Sequence, residues 1–500
     1  MIPMQLSYIA DKLNGRLDGH DLTIDHVFID SRIQKKELES KQSLFVALKG
    51  PNFDAHKFIK TAQLSGAYAA LVEDTQAVEI PQIIVPNTRL ALAKIAHLNR
   101  QKSRAKYVAV TGSSGKTTVK EMIASILSLS GKTLATKGNL NNDIGAPLTL
   151  LDIDQSIDYA VVELGANHVG EIAFTANLTQ PDVALVNNVS AAHLQGFGDL
   201  QGVAIAKAEI YSSLSENGIA IVNSDDAFSD FFCKQISNKK IEYNIQKESK
   251  FKASEMKGNS PTLRVTASEI SAKEDQTSAF DLHADGEHIR VNLPLIGLHN
   301  IANALAAASC CLALDISLAQ IAKGLARVPV VAGRLVVNDL PNNCRIIDDS
   351  YNANLASMKA AVDLLSQYPE PRILVVGDMA ELGDNGEEFH EEIGAYAQQA
   401  GINKLFSCGE LTRFTQLGFV KGKTNREEAN KDFITEKNAN HFSLQSDLII
   451  KLKKEAKAGT TILVKGSRSA KMENVVKALI ESFDEIESSE SIHASLEEAQ

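Results

Sequence analysis

The sequence predicts an α/β protein of three domains. Three observations carry that expectation: a length of 500 residues, short apolar runs alternating with helix-length segments, and a glycine-rich turn set between an apolar run and a helical one. One hydrophobic core rarely organises so long a chain, and roughly 150 residues per domain gives three. The boundaries fall at 1–104, 105–330 and 331–480, leaving a tail at 481–500. With 44% hydrophobic and 23% charged residues, the composition is that of a folded globular chain rather than a disordered, collagenous or membrane one.

In the first hundred residues, β-rich runs at 43–48, 69–72 and 83–85 alternate with a helical stretch at 54–65, which describes a small α/β module. Residues 88–103 read as an amphipathic connector helix ending just before a strongly apolar strand. From there buried-type strands at 107–111, 159–163, 183–187 and 219–222 are separated by helix-length segments. That rhythm requires a mainly parallel sheet with helices on both faces. Ser, Thr, Lys and Asp dominate 250–290, a β-excursion or insertion before a helix at 300–314. After a hinge at 329–333, strands at 345–348, 373–376, 404–407 and 461–464 describe a third, Rossmann-like unit. Beyond Phe483 the Ser/Glu-rich end reads as a solvated tail.

The formal charge of -11 includes seven acids and no Lys or Arg in 481–500, so the body is only mildly acidic. Nucleic-acid binding is excluded, because displacing counterions from phosphates takes clustered cations. Cys233, Cys310, Cys311, Cys344 and Cys408 are odd in number and scattered, which suits neither a disulfide framework nor a zinc site. The start lacks a signal-peptide pattern, and the longest apolar stretch, 301–314, is too short to span a bilayer and contains Asn303. A cytoplasmic protein without membrane insertion is expected.

The sharpest local signal is Tyr107-Val-Ala-Val-Thr-Gly-Ser-Ser-Gly-Lys-Thr-Thr118, a strand, a small-residue turn and a helix start. Gly112 and Gly115 let the backbone curl so that the N–H groups of Ser113, Ser114 and Gly115 and the helix N-terminus converge on a phosphate. Lys116 brings a cation to the β- and γ-phosphates, and Thr117, followed by Thr118, brings a hydroxyl to Mg²⁺. Val110 stands where the longer P-loop pattern has glycine, so the match is to G-x-x-G-K-[ST]. This reading establishes a nucleotide-binding protein and leaves the reaction open.

Glu163 ends an apolar strand, where open α/β sheets place ligands, and is either a hard oxygen ligand for Mg²⁺ or a solvated carboxylate. His193 follows the next strand as a metal ligand or a loop histidine. Lys207 sits on a helix, and spacing alone makes it a surface lysine, because an ammonium cannot ligate a cation.

Together these segments resemble the Mur ligases over nearly all of the chain to about residue 480. The matching segments, in order, are 111–118, Thr136-Lys-Gly-Asn-Leu-Asn-Asn-Asp-Ile-Gly145, Glu163, His193, Lys207, Gly297-Leu-His-Asn-Ile-Ala-Asn303, Ala332-Gly-Arg334 and Asp348-Asp-Ser-Tyr-Asn-Ala-Asn354. Leu355 stands where the family usually has proline. Val376-Gly-Asp-Met-Ala-Glu-Leu-Gly383, Lys465-Gly-Ser-Arg468 and Ser350-Tyr-Asn-Ala-Asn354 look like the member that appends a terminal dipeptide.

The resemblance implies a UDP-substrate-binding first module, a central P-loop-type ATPase domain and a C-terminal Rossmann-like ligase domain; a monomer is expected. It implies ATP and Mg²⁺, with UDP-N-acetylmuramoyl-tripeptide and D-alanyl-D-alanine as substrates. Lys116 is expected on the ATP phosphates, Thr117 and Glu163 on one Mg²⁺, and His193 with a carbamylated Lys207 on or near a second. His299, Asn300 and Asn303 fall to the adenine and ribose side, while Arg334 and Asp349 reach in from the third domain. Ser31 and Arg32, in Asp30-Ser-Arg32, are candidates for uridine or diphosphate, or ordinary turn residues. Asn139 and Asn142 face substrate or serve a local turn. Rival readings are a diaminopimelate- or lysine-adding relative, a folylpolyglutamate synthase, or a P-loop phosphotransferase or regulatory ATPase.

Overall fold

The computed structural model describes residues 1–191, 194–245, 263–272, 277–422 and 438–483. The expected tail from 484 onward, part of the excursion and His193 lie outside the described residues. The rest folds as three α/β domains, each on its own sheet.

The first domain has a five-stranded sheet in the order Arg16–Asp18, Gln82–Ile84, Ala67–Val72, Ser43–Val46, His26–Phe28, parallel except at the first pair. The helical stretch expected at 54–65 begins as a 3₁₀ turn, Ala55–Phe58, before the α-helix Ile59–Ser65. Asp54 accounts for this start, because its carboxylate accepts the N–H of His56 two residues on and tightens the first turn.

The central sheet has nine strands, ordered Thr133–Ala135, Tyr159–Glu163, Lys106–Thr111, Val183–Val186, Ile219–Asn223, Lys239–Ile245, Leu263–Ala272, Ser278–Ala284, Glu287–Leu293. The first seven pair in parallel and the last two pairings are antiparallel, so the described part of the Ser/Thr-rich excursion is a β-meander extending the sheet. From Lys106–Thr111 the chain builds first to one side and then to the other. The carboxyl end of that strand is therefore a topological switch point, the place where doubly wound sheets open a crevice. Val/Ile/Ala-rich strands buried on both faces are covered on one side by the helices Lys116–Leu127, Leu298–Leu312 and Leu318–Leu325.

On the other side of the central sheet the apolar core does not stop at the domain boundary. Leu6, Ile9, Leu44 and Leu71 of the first module belong to one buried cluster with Leu92, Ile95, Tyr107, Leu150 and Ile172. The connector helix Thr88–Lys102 lies in the seam. Asn99, fully buried, accepts the N–H of Ile2 at 2.8 Å and donates to the carbonyls of Leu150 and Ile153, both at 2.8 Å. Arg100 donates to the carbonyls of Thr179 and Gln180 and stacks over the Tyr107 ring at 3.8 Å.

The third sheet is ordered Val336–Asp339, Arg345–Asp349, Thr461–Lys465, Arg372–Gly377, Lys404–Cys408, Ala439–Phe442, antiparallel only at its first pair. Leu355, the departure from the family's proline, is the first residue of the helix Leu355–Ser366, with Asn354 as its cap. A first-turn N–H has no partner within the helix, so leucine is accepted there as readily as proline.

Replacing Asn99 with the similarly sized leucine strands one buried N–H and two carbonyls in the seam. Asn99→Leu is expected to destabilise the protein by about 2–4 kcal/mol. A urea unfolding midpoint equal to wild type would show that the seam does not depend on this amide.

Candidate active site

Phosphate-binding geometry begins with two glycines. Gly115 has φ 75 and Gly112 φ 156, and Lys116–Leu127 starts directly after Gly115 with no side-chain cap. The first N–H groups of that helix are therefore available to an anion. A Cβ on Gly115 would lie 2.6 Å from Asn303 Oδ1 and 2.7 Å from Asn187 Nδ2. This turn is clamped by carboxamides: Asn187 donates to the Ser114 carbonyl and to Asn303 Oδ1, and Asn188 accepts the Ser114 N–H and donates to its carbonyl. Asn303 in turn donates to Asn300, and Asn300 to the carbonyl of Ile296. Asn300 and Asn303, read from sequence as nucleotide contacts, thus also brace the loop. Lys116 donates to the Gly112 carbonyl at 2.7 Å.

The loop opens into a cavity of about 900 Å³ whose opposite wall is the third domain. Ser113, Ser114, Gly115, Lys116, Thr117, Thr118, Glu163, Asn139, Asn142, His299, Asn300, Asn303, Arg334 and Asp349, widely separated in sequence, all line it. Gly112 sits behind the loop. Hydrogen bonds cross between the domains: Arg334 donates to Thr117 Oγ1 at 3.1 Å, and Asn354 Nδ2 donates to Ser114 Oγ at 2.9 Å. Arg334 lies over the Tyr351 ring at 4.4 Å, and Asp349 is paired with the buried Lys465 at 2.6 Å.

Glu163 is 2% exposed. Its Oε1 accepts from Asn141 Nδ2 at 2.8 Å, while Oε2 is buried without a hydrogen-bond partner. Thr111 Oγ1, Ser190 Oγ and Arg334 Nε share that condition, so half of the eight such atoms among the described residues surround this loop. Buried polar groups are rarely left unpaired, and their gathering here fits a site built around a polar ligand. A cation would satisfy Glu163 Oε2, and the hydroxyl of Thr117 stands on the same side of the loop. Among the described residues there is no cluster of three His, Cys, Asp or Glu that would hold a metal by itself.

Lys207 corrects the expectation from spacing. It is not a surface lysine but 2% exposed on the helix Leu200–Ala208, its Nζ 6.0 Å from the centre of the Phe197 ring. Spacing misled because that helix is buried on more than one side, with Ala206 and Ala208 buried as well. Burial, then the nearby Lys116, pushes the Lys207 amine well below the usual lysine range. Burial also lowers Lys116, opposed by Glu163 and reinforced by Arg334, and it lowers His299.

The first-module candidates lie apart from this cavity. Arg32 is exposed and doubly hydrogen-bonded to Asp30 at 2.7 and 2.9 Å, and the Ser31 carbonyl accepts from Ser65. Asp30 borders a smaller cavity of about 220 Å³ between the first and central domains, with His26, Phe28, Lys137 and Asp152. Asn142 accepts the N–H groups of Ile144 and Gly145, a turn role, whereas Asn141, which the sequence did not single out, holds Glu163.

Comparison with known proteins agrees with this architecture. The family model described as Mur ligase middle domain matches residues 110–311, and the one described as Mur ligase, glutamate ligase domain matches residues 333–468. A UDP-N-acetylmuramoyl-tripeptide--D-alanyl-D-alanine ligase of Escherichia coli (strain K12) is 46% identical over 485 residues, covering 96% of this chain and 99% of its own. The chain belongs to the Mur ligase family.

Among solved Mur ligases, MurF from Acinetobacter baumannii is 34% identical and superposes with a TM-score of 0.83 over 96% of this chain and 99% of its own. MurF ligase from Thermotoga maritima, solved in complex with ADP, is 25% identical with a TM-score of 0.76 over 92% and 98%. Within this Mur ligase cavity, Asn141, Asn187, Asn188, Asn354 and Lys465 are the residues that sequence reasoning did not name as site residues. Asn141, Asn354 and Lys465 stood inside quoted motifs, but their buried and cross-domain pairing has no signature in spacing.

Gly115→Ala combines an unfavourable φ with a collision against two asparagines. It is expected to weaken binding of a fluorescent ATP analogue at least about tenfold. Unchanged affinity would mean that this loop does not hold the phosphates.

Proposed function

We propose that this chain joins D-alanyl-D-alanine to UDP-N-acetylmuramoyl-tripeptide, with cleavage of ATP to ADP and phosphate. It thereby makes the UDP-N-acetylmuramoyl-pentapeptide used in peptidoglycan synthesis. The observation that carries this reading is the cavity shared by the phosphate loop and the third domain, bridged by Arg334 to Thr117 and Asn354 to Ser114. A transferable phosphate and an incoming amine would meet there. The printed activity of the E. coli relative, 46% identical over nearly the full length of both chains, supports the substrates named.

A carboxylate is a poor electrophile, and the reaction begins by activating it. The tripeptide's terminal carboxylate oxygen attacks the γ-phosphorus, ADP departs, and an acyl phosphate remains. The dipeptide nitrogen then bonds to the acyl carbon, loses its protons to solvent, and phosphate leaves. Lys116, the helix N-terminus after Gly115 and the Arg334 guanidinium hold the phosphates, the planar Arg fork matching phosphate oxygens. Bound Mg²⁺ would supply further neutralisation of charge on the transferring group. Thr117, Glu163 through its unpaired Oε2, and a modified Lys207 would hold it, with His193 added by the family resemblance. The modification is carbamylation: the neutral amine nitrogen adds to the carbon of CO₂, one proton goes to solvent, and the cation repelled by a metal becomes an anion. Burial beside Phe197 lowers the Lys207 amine and so favours the neutral form this requires. Closure of the third domain over the central one excludes the water that would hydrolyse the acyl phosphate.

The Asp30-Ser31-Arg32 turn and the small cavity beside Asp30 are assigned to the UDP end of the substrate, and His299 with Asn300 and Asn303 to the nucleoside of ATP. The reaction is placed in the cytoplasm, where free cysteines persist, and on a monomer, since one chain supplies both walls of the cavity.

Phosphate release is expected only when ATP, UDP-N-acetylmuramoyl-tripeptide and D-alanyl-D-alanine are all present. Turnover with ATP alone would instead mark a regulatory ATPase. In Lys207→Ala, ligation should fall by roughly a hundredfold or more, and the carbamate carbon signal seen in wild type with ¹³C-bicarbonate should vanish. A variant that is folded by circular dichroism and nearly fully active would remove the carbamate from the mechanism.

A further inference from the structure

The phosphate-binding helix Lys116–Leu127 carries a second lysine besides Lys116. Lys120, about one turn beyond Thr117, is 1% exposed. An ammonium is costly to take out of water and is kept buried only where strong partners receive it. Its Nζ donates to the Thr136 carbonyl at 2.6 Å and pairs with Glu121 at 2.8 Å. Glu121 lines the large cavity, so the same ammonium neutralises a second anion on the cavity wall.

Thr136 follows the edge strand Thr133–Ala135, which runs parallel to Tyr159–Glu163 with Ala135 opposite Val161. The Thr136 N–H adds one more bond to this ladder, to the Val161 carbonyl at 3.0 Å. In a regular parallel ladder the Thr136 carbonyl would next accept the Glu163 N–H, two residues further along the partner strand. It does not. The carbonyl is turned to Lys120, and the Glu163 N–H goes instead to the Thr136 hydroxyl at 3.0 Å. Thr136 and Glu163 are 1% and 2% exposed, so both bonds lie out of reach of solvent.

This exchange ends the ladder at the residue assigned to the cation. From Thr136 the chain leaves the sheet for the loop that leads to the helix Gly145–Leu151. Within that loop the Asn141 carbonyl accepts the Gly165 N–H and Asn141 Nδ2 donates to Glu163 Oε1, both at 2.8 Å. Glu163 is therefore held at its backbone by the Thr136 hydroxyl and at one carboxylate oxygen by Asn141. Oε2 is left buried without a hydrogen-bond partner.

We propose that Lys120 is a positioning residue for the cation-binding carboxylate. By holding the Thr136 carbonyl away from the sheet, it keeps the Thr136 hydroxyl on the Glu163 backbone and starts the loop that places Asn141 on Oε1. This rests on the reading of Glu163 as a Mg²⁺ ligand and adds the group that aims its remaining oxygen. The helix that supplies the Thr117 hydroxyl then also sets the carboxylate, so two ligands of one cation depend on a single element.

A brace with no part in metal binding would change stability and leave metal affinity alone, so the test reads the affinity directly. The probe is Mn²⁺, titrated into the full-length protein with a non-hydrolysable ATP analogue and followed by electron paramagnetic resonance of the free ion. In Lys120→Met, which keeps an apolar stem, the Mn²⁺ dissociation constant should rise roughly ten- to a hundredfold. The KM for Mg²⁺ in ligation should rise with it, while kcat at saturating Mg²⁺ falls far less. Thr136→Val removes the hydroxyl but leaves the carbonyl to Lys120, and should weaken Mn²⁺ binding in the same way. Thr136→Ser should bind Mn²⁺ as wild type does. Wild-type Mn²⁺ affinity in folded Lys120→Met or in Thr136→Val overturns the proposal; if Lys120→Met does not fold, the valine and serine variants decide it. Glu163→Gln tests the underlying reading separately: wild-type Mn²⁺ affinity there would mean that Glu163 is no ligand, and the role of Lys120 would fall with it.

Discussion

A turn that admits no side chain governs the rest of the structure. Gly115 is wedged between the carboxamides of Asn187 and Asn303, and those amides are fixed by others: Asn187 accepts from the Tyr243 hydroxyl, and its carbonyl accepts from Asn223. Strands on both sides of the topological switch point and the helix Leu298–Leu312 therefore all set the curvature of one loop. The central sheet can be read as the frame that holds these asparagines in register, since each stands at or beyond the carboxyl end of a parallel strand or on the helix that covers it.

The same loop is where the third domain makes its polar contacts. Arg334 and Asn354 each touch a hydroxyl of the phosphate-binding turn, although more than two hundred residues separate them from it. Asn354 does this while capping its own helix, through Oδ1 accepting the Ser357 N–H. One side chain thus orients the start of the helix Leu355–Ser366 and joins two domains. The Thr117 hydroxyl contacted by Arg334 is also the group proposed to face a cation, so the guanidinium and the cation converge on one oxygen.

Much of this arrangement was legible in the sequence. Apolar runs of strand length, buried on both faces, announced the parallel sheets. A glycine turn between strand and helix announced an anion site, because few local conformations other than this one need glycine at both 112 and 115. The paired motifs around Arg334 and Asp349 placed the third domain against the same site. What spacing does not carry is tertiary. Lys207 looked like a surface lysine because helical periodicity cannot reveal that a helix is covered on several sides. Asn141 was passed over in favour of Asn139 and Asn142 because a run of asparagines does not disclose which one turns inward to Glu163. The bridging amide of Asn99 was equally silent, since one asparagine among the Lys, Arg, His and Gln of an amphipathic helix carries no mark of facing inward.

The apolar cluster that runs unbroken from the first module into the central sheet has a mechanical consequence. Two domains that share one core, with a polar amide fastened across the seam, have no free hinge between them. Any shift of one against the other would have to open buried apolar contacts across the seam. The third domain meets the central one through the large cavity, hydrogen bonds from Arg334 and Asn354, and a small apolar patch in which Phe389 packs with Leu194 and Phe197. The junction with the large apolar core is thus built to stay closed, and the large cavity lies at the other one.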